Sequence, residues 1–139
     1  MRFEASVDVA ASAAAVYDTY ADVERWPSWT ASVTSVERLD QGPLRIGSKA
    51  RIRQPKLPVA VWQVTSVVPG REFTWQVLKP GVLTTGTHRV TPLTDDSCRV
   101  TAILEQHGPI GFLVGLSTRR LTRRYLRTEV DGLKAYCEA

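Results

Sequence analysis

Two histidines, two cysteines, four tryptophans and an arginine-rich stretch carry most of the chemistry open to this 139-residue chain. His88 lies between Thr87 and Arg89 in an alternating segment, which predicts an imidazole pointing inward. Buried without a partner, that ring would cost free energy and have its pKa lowered by desolvation. Two roles fit it: a histidine satisfied by a backbone carbonyl or a tyrosine, or one that orients a ligand or passes a proton. His107, beside Gly108 in a turn, reads as solvated. Cys98 and Cys137 are far apart and form no spacing that gathers three or four ligands, so no metal is expected. Neither a nucleophile elbow nor a phosphate-cradling glycine loop occurs, which argues against hydrolase chemistry and leaves no cofactor expected. Asp95 and Asp96 fall where a hairpin turn is predicted, and aspartate is favoured there by its hydrogen bonds to the backbone.

The elements that must hold these residues follow from periodicity. Phe3, Ala5, Val7 and Val9 alternate with polar residues and predict a strand with one buried face. Ser12 can cap a short helix over about residues 13–20, where Val16, Tyr17 and Tyr20 supply apolar bulk. Asp22 can cap a further brief turn that Pro27 should end. From residue 32 to 105 strand follows strand, separated by Asp40-Gln41-Gly42-Pro43, Pro69-Gly70, Lys79-Pro80-Gly81 and the segment 92–96. Counting the first, about seven strands are expected, paired antiparallel because their links are short. Leu126, Val130, Leu133 and Cys137 repeat at helical spacing, and no proline interrupts residues 110–139, so one long helix closes the chain. The length suits a single domain over 1–139, an α+β fold with that helix packed on one sheet face.

Charge and hydropathy narrow the setting. Net charge is +4, from 18 basic against 14 acidic residues. The segment 119–127 alone holds five arginines and no acid, so the basic character is one local stripe and no specific nucleic-acid binding is expected. Arg119, Arg123 and Arg127 share a helix face and read as its solvated side, with contact to an anionic surface as the alternative. Arg120 or Arg124, if turned towards the sheet, could fork onto a ligand carboxylate. No segment approaches the roughly 20 apolar residues of a transmembrane helix. Glu4 and Asp8 interrupt any signal-peptide core, so a cytoplasmic location is expected. Monomer and homodimer both stay open.

The order of strand, two short helices, about six strands and a long helix resembles the SRPBCC superfamily. That is the helix-grip fold shared by START lipid-binding domains, plant pollen-allergen relatives and polyketide cyclase/dehydrase proteins. The resemblance spans essentially the whole chain. It is carried by Trp26-Pro27-Ser28-Trp29, Trp62-Gln63-Val64, Pro69-Gly70-Arg71, Phe73-Thr74-Trp75, Gly86-Thr87-His88, Gly108-Pro109-Ile110-Gly111 and the tail from Glu129 to Lys134. It implies a curved sheet wrapped around the last helix, with a deep hydrophobic cavity between them.

Pairing the strands around their turns assigns the faces independently. Cys98, Val100, Ala102 and Leu104 point inward, and with them His88 and Val90, then Phe73, Trp75 and Val77, then Trp62, Val64 and Ser66. The expected function is therefore enclosure of a small hydrophobic or amphipathic molecule. Trp62, Val64, Trp75, Val77 and Leu104 would line the cavity, Leu116 would form a helical floor, and His88 would orient the ligand. Trp29 could gate the opening or simply cover the first helix; Trp26 is the weaker candidate. The alternative is a cofactor-independent enzyme resembling polyketide aromatase/cyclases, with His88 transferring a proton and Tyr125 polarising a carbonyl.

Overall fold

The computed structural model describes all residues 1–139. Strand β1 (Arg2–Val9) is followed by helix α1 (Ala13–Ala21), a 3-10 helix (Val23–Ser28) and six further strands. These are β2 (Ser35–Arg38), β3 (Lys49–Arg53), β4 (Ala60–Val68), β5 (Glu72–Lys79), β6 (Val82–Thr94) and β7 (Ser97–His107); helix α2 (Gly111–Glu138) ends the chain. The strands form one antiparallel sheet in the order β1-β7-β6-β5-β4-β3-β2. Only the β1–β2 connection must cross the sheet, and it carries both short helices with it. This is the helix-grip α+β fold.

Register places the predicted inner set together. Phe3, Ala5, Val7 and Val9 face Leu104, Ala102, Val100 and Cys98, and His88 lies between Ala102 of β7 and Phe73 of β5. Trp75 lies between Val64 and Gly86. One face assignment needs correcting. A bulge in β4 between Val64 and Ser66 puts Ser66 opposite Thr74 and Val67 opposite Phe73. The added residue turns the strand by one position, so Val67 rather than Ser66 joins the core.

The turn after α1 also differs from expectation. Asp22 makes no side-chain cap, and Pro27 sits within the 3-10 helix instead of ending it. Proline's fixed φ is compatible with 3-10 geometry, so it does not break so short a helix. Trp26 and Trp29 are both carried inward, with the Trp26 indole donating to the Tyr20 carbonyl at 2.8 Å. Ser12 caps α1 as expected, accepting from the Ala15 N–H at 3.3 Å.

Helix α2 has 28 residues, so it is about 42 Å long. Its start is fixed at the β5–β6 hairpin: Gly108, at φ +99, passes so near Gly81 that a Cβ would lie 2.7 Å from the Gly81 oxygen. Its second half is held by Leu126, Val130 and Leu133, all in the core cluster with Phe73, Val9 and Val16. There Gly132 meets the β1–β2 crossover, and a Cβ on it would stand 2.1 Å from the Trp29 carbonyl oxygen. Alanine ordinarily improves a helix interior over glycine by up to about 1 kcal/mol. At this contact the sign should reverse. Gly132→Ala should lose about 1–3 kcal/mol, as overpacking against fixed backbone does, read as a lower urea midpoint with an unchanged slope.

Candidate functional site

Between the sheet and α2 lies a cavity of about 430 Å³. The sheet contributes Trp62 from β4, Trp75 and Val77 from β5, Thr84 and His88 from β6, and Ala102, Leu104 and Gln106 from β7. Helix α2 contributes Val114, Thr118, Leu121, Thr122, Tyr125, Leu126 and Glu129. Those positions recur every three or four residues, so a single stripe of the helix roofs the space. Sixteen of the 27 lining residues are hydrophobic, the composition of a site that takes apolar surface. Trp26, Trp75, His88, Leu126 and Glu129 are buried and form the closed end, whereas Pro58 and Lys79 are exposed at the mouth.

Five of the ligand-contact candidates, Trp62, Trp75, Val77, His88 and Leu104, come together on this lining. Three others do not. Leu116 is 45% exposed, because two residues beyond Val114 is about 200° around the helix and faces away from the sheet. Val64 shares the face of Trp62 but is sealed within the packed core. Trp29 lies behind Trp26, their ring centroids 5.6 Å apart, and borders a separate surface hollow with Asp18, Thr19, Asp22, Arg25 and Tyr136. Its carbonyl oxygen is held against Gly132 of α2. Trp26, the lesser candidate, reaches the cavity in its place. Arg120 and Arg124 are exposed and contribute nothing to the lining. Arg119 is likewise exposed, Arg123 lies over the Phe3 ring at 5.8 Å, and Arg127 pairs with Asp131 at 3.3 Å.

His88 is 5% exposed and enclosed by aromatic rings. Phe73 stacks on it at 4.3 Å between centroids, and Tyr20, Trp75 and Trp26 present edges at 5.1, 5.2 and 5.3 Å. Burial pushes its pKa down to about 3, the carbonyl of Phe73 offsetting this only in part. The ring is therefore neutral. Because the Phe73 carbonyl, 3.2 Å from Nδ1, can only accept, Nδ1 carries the hydrogen and Nε2 presents a lone pair. A base this weak is poorly matched to proton transfer near neutrality. Tyr125 does line the roof, but its hydroxyl already donates to the Pro55 carbonyl across the mouth.

One carboxyl on this lining is not evident from the sequence pattern alone. Glu129 is 8% exposed on the α2 stripe, and its Oε2 accepts from the Tyr20 hydroxyl at 2.5 Å. Burial raises its pKa to about 7, against the opposing effect of that hydrogen bond. Tyr20 is pushed well above the ordinary phenol range, by burial first and by Glu129 second, so it stays protonated as the donor. The readable signal was an acid at the third position after Leu126 and the fourth before Leu133, on an otherwise apolar face. His88 Nε2 and the second oxygen of Glu129 have no protein partner, yet neither is among the enclosed, unpartnered polar atoms, which are Trp29 Nε1, Arg38 Nε and Gln106 Oε1. Both therefore open onto the cavity.

Fold and cavity together define a helix-grip protein with an internal apolar receptacle. The sequence family described as polyketide cyclase / dehydrase and lipid transport matches residues 1–138, and the chain belongs to it. Among solved structures it is similar to a START superfamily protein from Mycobacterium smegmatis, at 19% identity and TM-score 0.72, covering 99% of this chain and 97% of that one. It is similar to a Thalictrum flavum norcoclaurine synthase point mutant in complex with a transition state analogue, at 17% identity and TM-score 0.73, covering 99% and 93%. The di-domain ARO/CYC BexL from the BE-7585A biosynthetic pathway aligns at 19% identity and TM-score 0.72; the match covers 97% of this chain and 45% of that protein. Identities this low speak for the fold alone. Curated protein sequences give no match.

The two buried groups impose opposite pH slopes. Glu129 binds its proton more tightly folded than unfolded, so its contribution is full below pH 4.5 and is lost as pH rises through about 7. At about 1.4 kcal/mol per pKa unit the loss comes to about 3 kcal/mol. Glu129→Gln should remove it, gaining that much over the parent between pH 4 and pH 8 in urea unfolding. His88 contributes stability that is full above pH 6.5 and is lost as pH falls through about 3. His88→Asn should flatten that acid limb, whatever its stability at neutral pH.

Proposed function

We propose that this protein encloses a small apolar or amphipathic molecule between its sheet and α2. The observation that carries this reading is the cavity of about 430 Å³, mostly hydrophobic in its lining and graded from a buried end to an exposed mouth. Ligand pockets span about 300–1,000 Å³ and combine apolar surface with a few placed polar groups. Burial of ligand surface at about 25 cal/mol per Å² would drive association, reduced by the cost of ordering. The family description, which includes lipid transport, supports the same reading.

A second reading is favoured by Glu129. A buried carboxyl whose pKa is raised to about 7 is matched to proton transfer near neutrality, so cofactor-independent chemistry of the cyclase kind would fall to Glu129 and not to His88. On any substrate so identified, Glu129→Gln should lower kcat at least a hundredfold, whereas His88→Asn should lower it far less.

The binding reading is tested with N-phenyl-1-naphthylamine, a neutral probe that brightens in apolar surroundings. Its emission should rise saturably at one probe per chain. Thr118→Trp, which fills the roofed space, should weaken this at least tenfold, while Leu116→Trp, on the opposite side of the helix, should leave it unchanged. A signal that never saturates, or one indifferent to Thr118→Trp, would count against the receptacle.

A further inference from the structure

The closed end of the cavity has a definite polarity, and on the binding reading above this polarity selects the ligand. From the hydrogen-bonding pattern at that end we propose that the ligand is a neutral amphiphile whose innermost group is a hydroxyl, a phenol or alcohol, and that carboxylates are turned away. The inference rests on the placement of acceptors, donors and charge.

Two acceptors open onto the closed end when Glu129 is ionised, its free carboxylate oxygen and Nε2 of His88. Tyr20 ties them together: its hydroxyl donates to Glu129 at 2.5 Å, and its ring meets that of His88 at 5.1 Å between centroids. The Tyr20 proton is thereby committed. Among the lining residues the only fixed cation is Lys79, and it is exposed at the mouth. The arginines of α2 are all exposed, and none reaches the lining. A carboxylate arriving at the closed end would lie beside an acid, meet only neutral N–H and O–H donors, and surrender its hydration without a cation to compensate. An alkyl or aryl end would leave both acceptors without a partner. A hydroxyl supplies a donor for one of the two. The surrounding rings of Trp26 and Trp75 give flat faces for an aromatic or cyclic body next to that hydroxyl.

The test compares three probes sharing one body, 2-naphthol, naphthalene and 2-naphthoic acid, titrated by calorimetry at pH 8. At that pH the naphthol is neutral and the acid ionised. Naphthol should bind at least tenfold more tightly than naphthalene and at least tenfold more tightly than naphthoate. Glu129→Gln, nearly isosteric and still able to accept from Tyr20, should recover naphthoate binding by about tenfold and so compress the ratio. Because the readout is a ratio among ligands on one protein, a general loss of stability does not imitate it. Naphthoate binding as tightly as naphthol, or a ratio unmoved by Glu129→Gln, overturns the assignment and leaves the receptacle intact. Equal affinity for naphthol and naphthalene does the same. Failure of all three to bind removes the receptacle and this assignment together.

Discussion

How closely α2 may approach the β1–β2 crossover governs everything else in this molecule. Gly132 sets that distance, since hydrogen alone fits between the helix and the Trp29 carbonyl oxygen. With the contact made, Leu126, Val130 and Leu133 reach the core, and Glu129, one turn before Gly132, comes to the Tyr20 hydroxyl. Towards its other end the helix is positioned by Gly108 at the β5–β6 hairpin. Tethered at two close approaches, α2 packs along β1 and β7 but stands off β4 and β5, and the unfilled interval is the cavity.

The cavity's polar end has a thermodynamic character of its own. His88 and Glu129 are ionisable groups held out of water, one neutralised by a depressed pKa and one half-protonated near neutrality. Interiors ordinarily meet such groups with a full set of hydrogen bonds, because an unpaired buried polar atom is expensive. Each here has one bond within the protein and one site left over. An aromatic enclosure of Tyr20, Trp26, Phe73 and Trp75 keeps the histidine neutral and fixed in orientation.

Much of the architecture was legible before any coordinates, for identifiable reasons. Alternation in β1 and β7 fixed which side chains face inward, and register then carried His88, Trp75 and Trp62 to the same side. The resemblance to helix-grip proteins added the cavity. What stayed hidden depends on single-residue geometry. The β4 bulge exchanged Ser66 for Val67 without a glycine or proline to announce it. Trp26 and Trp29 are three residues apart in a 3-10 turn, and sequence gave no means to choose which one reaches the cavity. Leu116 is apolar, which suggests the floor, but helical phase relative to Val114 and Thr118 puts it outside. Glu129 is hidden for the converse reason: an acid on the apolar stripe reads as part of the tail motif unless it is weighed as an anomaly in the pattern.

The division of labour along α2 has an evolutionary consequence. Residues that secure the fold occupy the second half of the helix, whereas Val114, Thr118, Leu121 and Thr122, which shape the roof, are half-buried and lie outside the packed cluster. Exchanging a threonine there for a larger or smaller neighbour alters the shape of the cavity while leaving the foundations untouched. A lineage built this way can reshape its interior space in single mutational steps, with its inherited scaffold bearing little of the burden.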